Sequence, residues 1–171
     1  IEADMFRFLF PEHPTNMISR RSVGADKDRL INKAVFNGCG LVIWQDIFGS
    51  WYPFSGEQKR AIKSWKEVLA EYHDTIFGQR SIPLVDTLVP GVMANRFAKE
   101  PEAQQIVTIY NSTDRTIDGA LLRITEIPGA TCNSVWGDAG AIEVTSSNED
   151  RSKPGYEGVR IHGTIGSKEV V

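Results

Sequence analysis

The five residues "GLVIW", 40 to 44, set the tightest limit on how this chain can fold. They form a continuous apolar run between Cys39 and the polar pair Gln45 and Asp46. A strand that is hydrophobic without alternation needs cover on both faces, the condition of a parallel strand flanked by helices. The neighbouring sequence supplies such helices. Upstream, Leu30, Ile31, Ala34 and Val35 repeat at helical spacing, with Asp26 as the expected N-cap and Gly38 just past the last turn. Downstream, Ser55 and Gln58 have the spacing of a capping box. Ile62, Trp65, Leu69, Tyr72 and Ile76 then step by three and four into one apolar stripe, which Gly78 closes. Trp65 and Tyr72 are therefore expected to face the core.

Residues 26 to 78 thus read helix, strand, loop, helix. One strand and two helices cannot bury one another's apolar faces, so the reading calls for further parallel strands. These are expected from polypeptide upstream of Ile1 or from a partner. The abrupt "IEADMFRFLF" and the strand-like "GTIGSKEVV" at the two ends fit a segment of a longer protein.

From about residue 81 the pattern changes. Short strands are expected at 92–97, 105–110, 119–125, 141–146 and 158–163, with a last one from about Lys168. Turn-rich stretches such as "NSTDRTIDG" and "IPGATCN" separate them, and the polar "SSNEDRSKPG" reads as a surface loop. Short strands with turns this frequent predict an antiparallel sandwich. The expected fold class is α/β plus all-β. Residues 1–80 are expected to belong to a parallel sheet or barrel, which the resemblance given below makes the last βα units of a TIM-type barrel, and residues 81–171 to a small antiparallel β-sandwich.

Composition narrows the function classes. The chain has 171 residues, 41% hydrophobic and 24% charged, with a net charge of -3. No basic stripe is present, so nucleic acid is not an expected partner. No apolar run reaches the roughly 20 residues of a membrane span. His13, His73 and His162 lie far apart, and neither HxxxH nor CxxC spacing occurs. No metal and no cofactor is therefore expected. Cys39, between glycines beside the apolar run, reads as a packed residue, and its spacing to Cys132 does not suggest a disulfide. The residues assign no compartment.

The turn after the apolar run carries the chemistry. Active sites of barrel folds lie where strands end and βα loops begin. Trp44, Gln45, Asp46, Trp51 and Tyr52 occupy that position. Aromatic faces pack on the C–H faces of sugar rings, while carboxylates and amides hydrogen-bond the hydroxyls. The same rings, Phe48 and Phe54 above all, also suit a plug for the end of a barrel core.

The stretch "AVFNGCGLVIWQDIFGSWYPFSGEQKRAIKSWKEVL" resembles the last βα unit of a glycoside-hydrolase-type barrel. "DMFRFLFPEHP" resembles the segment before the final helix of such proteins, and "IVTIYNSTDRTIDGALLRI" and "VRIHGTIGSKEVV" resemble strands of their C-terminal sandwich. The similarity is to bacterial carbohydrate-active proteins. It implies a glycosidase-like protein that acts on a poly- or oligosaccharide, with carbohydrate and the remainder of the same polypeptide as partners.

Typical glycoside hydrolysis uses two carboxyl groups, about 5–5.5 Å apart for retention or about 6.5–9.5 Å for inversion. Such a pair comes from different strands, so at least one member is expected upstream of Ile1. Within the chain the candidate catalytic carboxylates are Asp46, just past the strand, and Glu12, in the turn after "FRFLFP". The candidate substrate-binding residues are Trp44, Gln45, Trp51 and Tyr52. Arg20 and Arg21 could offer a bidentate partner to a carboxylate. An alternative reading makes the β-rich half a non-catalytic carbohydrate-binding or protein-interaction module, with Asn95, Arg96, Trp136 and Asp138 as the places for a ligand.

Overall fold

The computed structural model describes residues 1–19, 25–43, 53–99, 104–125, 131–136, 142–146, 158–165 and 170. The chain divides into two compact units. The first comprises Ile1–Pro83 and Asn95–Thr108, and the second Leu84–Ala94 and Ile109–Val171.

The first unit begins with α1 (Met5–Leu9), whose N-cap Asp4 accepts a hydrogen bond from the Phe6 N–H. Strand β1 (Asn16–Ser19) follows. It was not expected from the sequence, because four residues with one apolar pair give too short a pattern. Helix α2 (Ala25–Phe36) and strand β2 (Gly40–Ile43) come next. Strands β1 and β2 pair in parallel, with Ile18 opposite Val42 and Ser19 opposite Ile43. Parallel pairing around a helical crossover is the βα arrangement expected for this region. Full burial of the strand is not what the described residues show. Ile18 is 51% exposed and Val42 36% exposed, so among the described residues apolar side chains on one face of the layer remain accessible.

Helix α2 ends as expected. Gly38 adopts a left-handed conformation at φ 62°, and the Cys39 N–H donates to the Ala34 carbonyl at 2.8 Å. Its start differs. Asp26 lies inside the first turn and not at the N-cap, where its carboxylate still complements the positive end of the helix.

Helix α3 (Gly56–Glu71) carries the capping box in full. The Gln58 N–H donates to Ser55 Oγ at 3.1 Å, and the Ser55 N–H donates to Gln58 Oε1 at 3.0 Å. The expected single helix to Gly78 is interrupted at Tyr72, after which α4 (His73–Ile76) forms a separate turn. Trp65, Val68 and Ile76 are buried, whereas Ile62, Leu69 and Tyr72 are half-buried. Trp65 is also fixed by polarity, since its indole N–H donates to the Cys39 carbonyl at 2.8 Å.

Strands β3 (Ile82–Val85), β4 (Val92–Ala98) and β5 (Gln105–Asn111) make a three-stranded sheet in the order β3-β4-β5. Within the first unit, Phe97 of β4 stacks on Phe8 of α1 with ring centroids 5.6 Å apart.

The second unit holds β6 (Ile117–Thr125), β7 (Ile142–Ser146) and β8 (Gly158–Ile165). Their order is β6-β8-β7, and both pairings are antiparallel. A register shift between Ala120 and Leu122 interrupts the β6–β8 ladder, and Leu121 and Leu122 are both fully buried. Asn111 closes the entry to β6: its Oδ1 accepts from the Thr113 N–H at 2.9 Å while its Nδ2 donates to the Arg115 carbonyl at 2.7 Å. Of the polar run at 146–155, Ser146 ends β7 and 147–155 lie outside the described residues, as does the start of the expected strand near Lys168, although Val170 forms a bridge with Tyr110.

Candidate functional site at the exit end of the parallel pair

In a βα arrangement the helix runs back along the strand it follows, so helix N-termini gather where strands end. Helix α2 follows β1 and α3 follows β2, and the first turns of both helices belong to the exit end marked by Ser19 and Ile43. Polar residues are buried there. Ser19 is 1% exposed, Lys27 1% and Gln58 8%.

Contacts join the first turn of α2 to the entry of α3. Gln58 Nε2 donates to Asp28 Oδ1 at 2.8 Å. The Lys27 ammonium lies 4.2 Å from the centre of the Phe54 ring, a cation–π distance. A cation in the first turn of a helix meets the wrong end of the helix dipole, and the ring face is one of the groups that offset this.

The sequence holds a signal for both buried polar residues. Lys27 continues the stripe of Ile31, Ala34 and Val35 one turn back, and Gln58 continues that of Ile62, Trp65 and Leu69. At each helix N-terminus the core-facing stripe therefore ends in a polar side chain. Charge alone predicts a solvated place for Lys27 and Asp28, because a charged residue in a helix ordinarily faces water.

Of the residues expected to form the sugar site, Trp44, Gln45, Asp46, Trp51 and Tyr52 lie outside the described residues, as do Arg20, Arg21 and Asp138. Their chain neighbours Ile43 and Phe54 belong to the exit end. Glu12 is exposed, in the turn between α1 and β1. That turn leads into the start of β1, so Glu12 is not brought to the exit end. His13 is exposed beside Phe10, with ring centroids 6.4 Å apart.

The residues of the alternative reading are placed differently. Asn95 is fully buried, and its amide donates to the Phe36 carbonyl at 2.7 Å. That bond gives it a structural role. Arg96 and Trp136 are half-buried.

A second buried cation, Arg7, lies elsewhere in the first unit. Its Nη2 donates to the Ile76 carbonyl, at the end of α4, and its Nη1 donates to the Pro11 carbonyl at 3.5 Å. The guanidinium carbon is 4.6 Å from the Phe77 ring centre and 5.6 Å from that of Phe97. Burial pulls its pKa below the ordinary arginine value, with the Asp4 charge among the opposing influences. Full burial of Arg7 closes it to substrate, so it serves as the clamp between α1 and the last turn of α4.

Cys39 is buried and Cys132 exposed, and both are free thiols. Burial pushes the Cys39 thiol up to about 12, which makes it inert as a nucleophile near neutral pH. Among the described residues no group of three or more His, Cys, Asp or Glu side chains could hold a metal ion. No described helix is long and apolar enough to cross a membrane. No family model, curated protein or solved structure matches the chain.

Proposed function

We propose that this chain is the closing part of a glycoside-hydrolase-type barrel and contributes one wall of a sugar cleft. In this reading Trp44, Trp51 and Tyr52 stack on sugar rings, and Gln45 and Asp46 hydrogen-bond the hydroxyls. The catalytic carboxyl pair is completed by other strands of the same polypeptide. Glu12 is not carried into the proposal, because it sits at the entry end of β1.

One observation carries the reading. The parallel β1–β2 pair turns Ile18 and Val42, opposite each other in register, toward solvent. Parallel layers are stable when both faces are covered, and this apolar face is what the inside of a closed barrel would cover. Met5, Phe6, Leu9 and Phe10 of the α1 segment are exposed as well, a second apolar surface that neighbouring helices of a larger barrel would bury. The sugar-suited residues 44–52 follow Ile43 in the sequence, and Ile43 ends a strand of that layer at the side where barrel enzymes place their chemistry.

The test uses the complete polypeptide and a set of p-nitrophenyl glycosides of common hexoses and pentoses. Trp51→Ala and Asp46→Ala are each expected to lower kcat/KM at least tenfold, about 1.4 kcal/mol of transition-state stabilisation, with thermal stability little changed. Unchanged kinetics in stably folded variants would remove both residues from the cleft.

A further inference from the structure

We propose that the water-facing side of the second unit's sheet binds the phosphate group of a small phosphate monoester. The group sits between the guanidinium ends of Arg123 on β6 and Arg160 on β8. The proposal is independent of the sugar-cleft reading.

Strand register brings the two arginines together. They stand directly opposite each other in the antiparallel β6–β8 ladder. An extra residue in β6 is responsible. Before the register shift Ala120 faces His162, and after it Leu122 faces Ile161 and Arg123 faces Arg160. Without the shift Arg123 would stand opposite Val159, on the side of the sheet where Leu122, Ile161 and Ile165 are buried. Bulges re-aim side chains in this way. Arg123 is exposed, and Arg160 and His162 are half-buried, so this row is reached by water.

Like charges directly opposite in a sheet repel, with Cβ atoms about 4.5–5.5 Å apart. Compensation among the described side chains of this face is remote. The Asp118 carboxylate accepts the Thr164 hydroxyl at 2.6 Å. Thr164 lies four residues along β8 from Arg160, roughly 13 Å at the strand rise. That exceeds the Debye length of about 10 Å at 0.1 M salt. On β7, Thr145 stands opposite Arg160, and Glu143 stands opposite His162. Arg160 Nε is buried without a hydrogen-bond partner, so one N–H of the pair is unused.

An oxyanion between the two forks would answer both the repulsion and the unused donor. Charge and oxygen count select its class. A carboxylate has two oxygens, which one bidentate arginine already occupies. A phosphate monoester has three terminal oxygens and carries about −1.5 to −2 charge at neutral pH, a match for two guanidinium groups. A sulfate monoester has the oxygens but a single negative charge. His162, next along the same face, offers a further ring nitrogen.

The test follows the arginine Nε–H resonances of the full chain by NMR at pH 7.5, with methyl phosphate, methyl sulfate and acetate as probes. Loss of a resonance in Arg123→Lys or Arg160→Lys assigns each signal. Methyl phosphate is expected to shift both signals saturably at millimolar concentration, and to leave that of the buried Arg7 in place. Methyl sulfate and acetate should each bind more weakly, by at least about fivefold. Arg123→Gln, at an exposed position, should weaken methyl phosphate binding about tenfold, the scale of a lost charge-assisted hydrogen bond. Glu143→Gln should leave the response in place or strengthen it, because a carboxylate near the pair competes with the ligand. No saturable shift of the two signals overturns the proposal, as does an undiminished response in folded Arg123→Gln. Equal binding of methyl sulfate or acetate overturns the assignment to a phosphate monoester. Loss of stability in Arg160→Gln, with no response to phosphate in the unaltered protein, would make Arg160 an internal structural cation and also overturns it.

Discussion

The side-chain amide of Asn95 donates to the backbone carbonyl of Phe36 at 2.7 Å, and the Thr108 hydroxyl donates to the same oxygen at 2.7 Å. A carbonyl in the last turn of a helix has no partner within the helix. Here strands β4 and β5 supply two. Asn95→Ala should cost about 1–3 kcal/mol, the range for stripping a partner from a buried polar group. Asn95→Ala combined with Thr108→Val should cost more than either change alone, as urea unfolding will show. By the same logic a polypeptide ending at residue 80 lacks Phe97, Asn95 and Thr108. It should show no cooperative transition.

Gly38 closes α2 where a side chain cannot fit. Its φ is 62°, and an added Cβ would lie 2.9 Å from the Ile76 side chain and 3.0 Å from the Phe97 ring. Gly38→Ala should destabilise the protein by about 1–2 kcal/mol from backbone conformation alone, and by more from the clash. A loss below about 0.5 kcal/mol in thermal or urea unfolding would show that the last turn can rearrange.

Cys39 makes stability depend on alkaline pH. Burial raises its pKa from 9.0 to about 12. Below about pH 9 the thiol is protonated in both folded and unfolded chains, and its contribution is fully present. Between about pH 9 and 12 the unfolded chain gives up the proton while the folded chain keeps it, so stability falls as pH rises. For one proton the slope is at most about 1.4 kcal/mol per pH unit. Cys39→Ala should flatten the alkaline limb relative to the unaltered protein. A thiol reagent at neutral pH should modify the exposed Cys132 and reach Cys39 only on unfolding.

Ile18 reports on what covers the parallel layer. In the 171-residue chain it is 51% exposed, so Ile18→Lys should change stability by about 0.5 kcal/mol or less. In a longer polypeptide whose strands close over this face, the same change would bury a charge and cost several kcal/mol. Equal, small effects in both settings would argue against a covered face.

Much of the local structure was written in neighbouring residues. The capping box of Ser55 and Gln58, the left-handed Gly38 and the strands at β4, β5 and β8 depend on side chains a few positions apart, and each formed close to where its pattern placed it. The helix break at Tyr72 and the short β1 carried no such pattern. Tertiary structure decided the rest. Arg7 is buried within "MFRFLF" while Met5, Phe6, Leu9 and Phe10 are exposed, an inversion of what hydropathy suggests. It follows because the carbonyl and rings that receive the guanidinium come from Ile76, Phe77 and Phe97. Lys27 and Asn95 are buried for the same reason: what makes a buried polar group tolerable is a partner distant in the chain. Periodicity registers which face of a helix turns inward, but not which remote atom waits there.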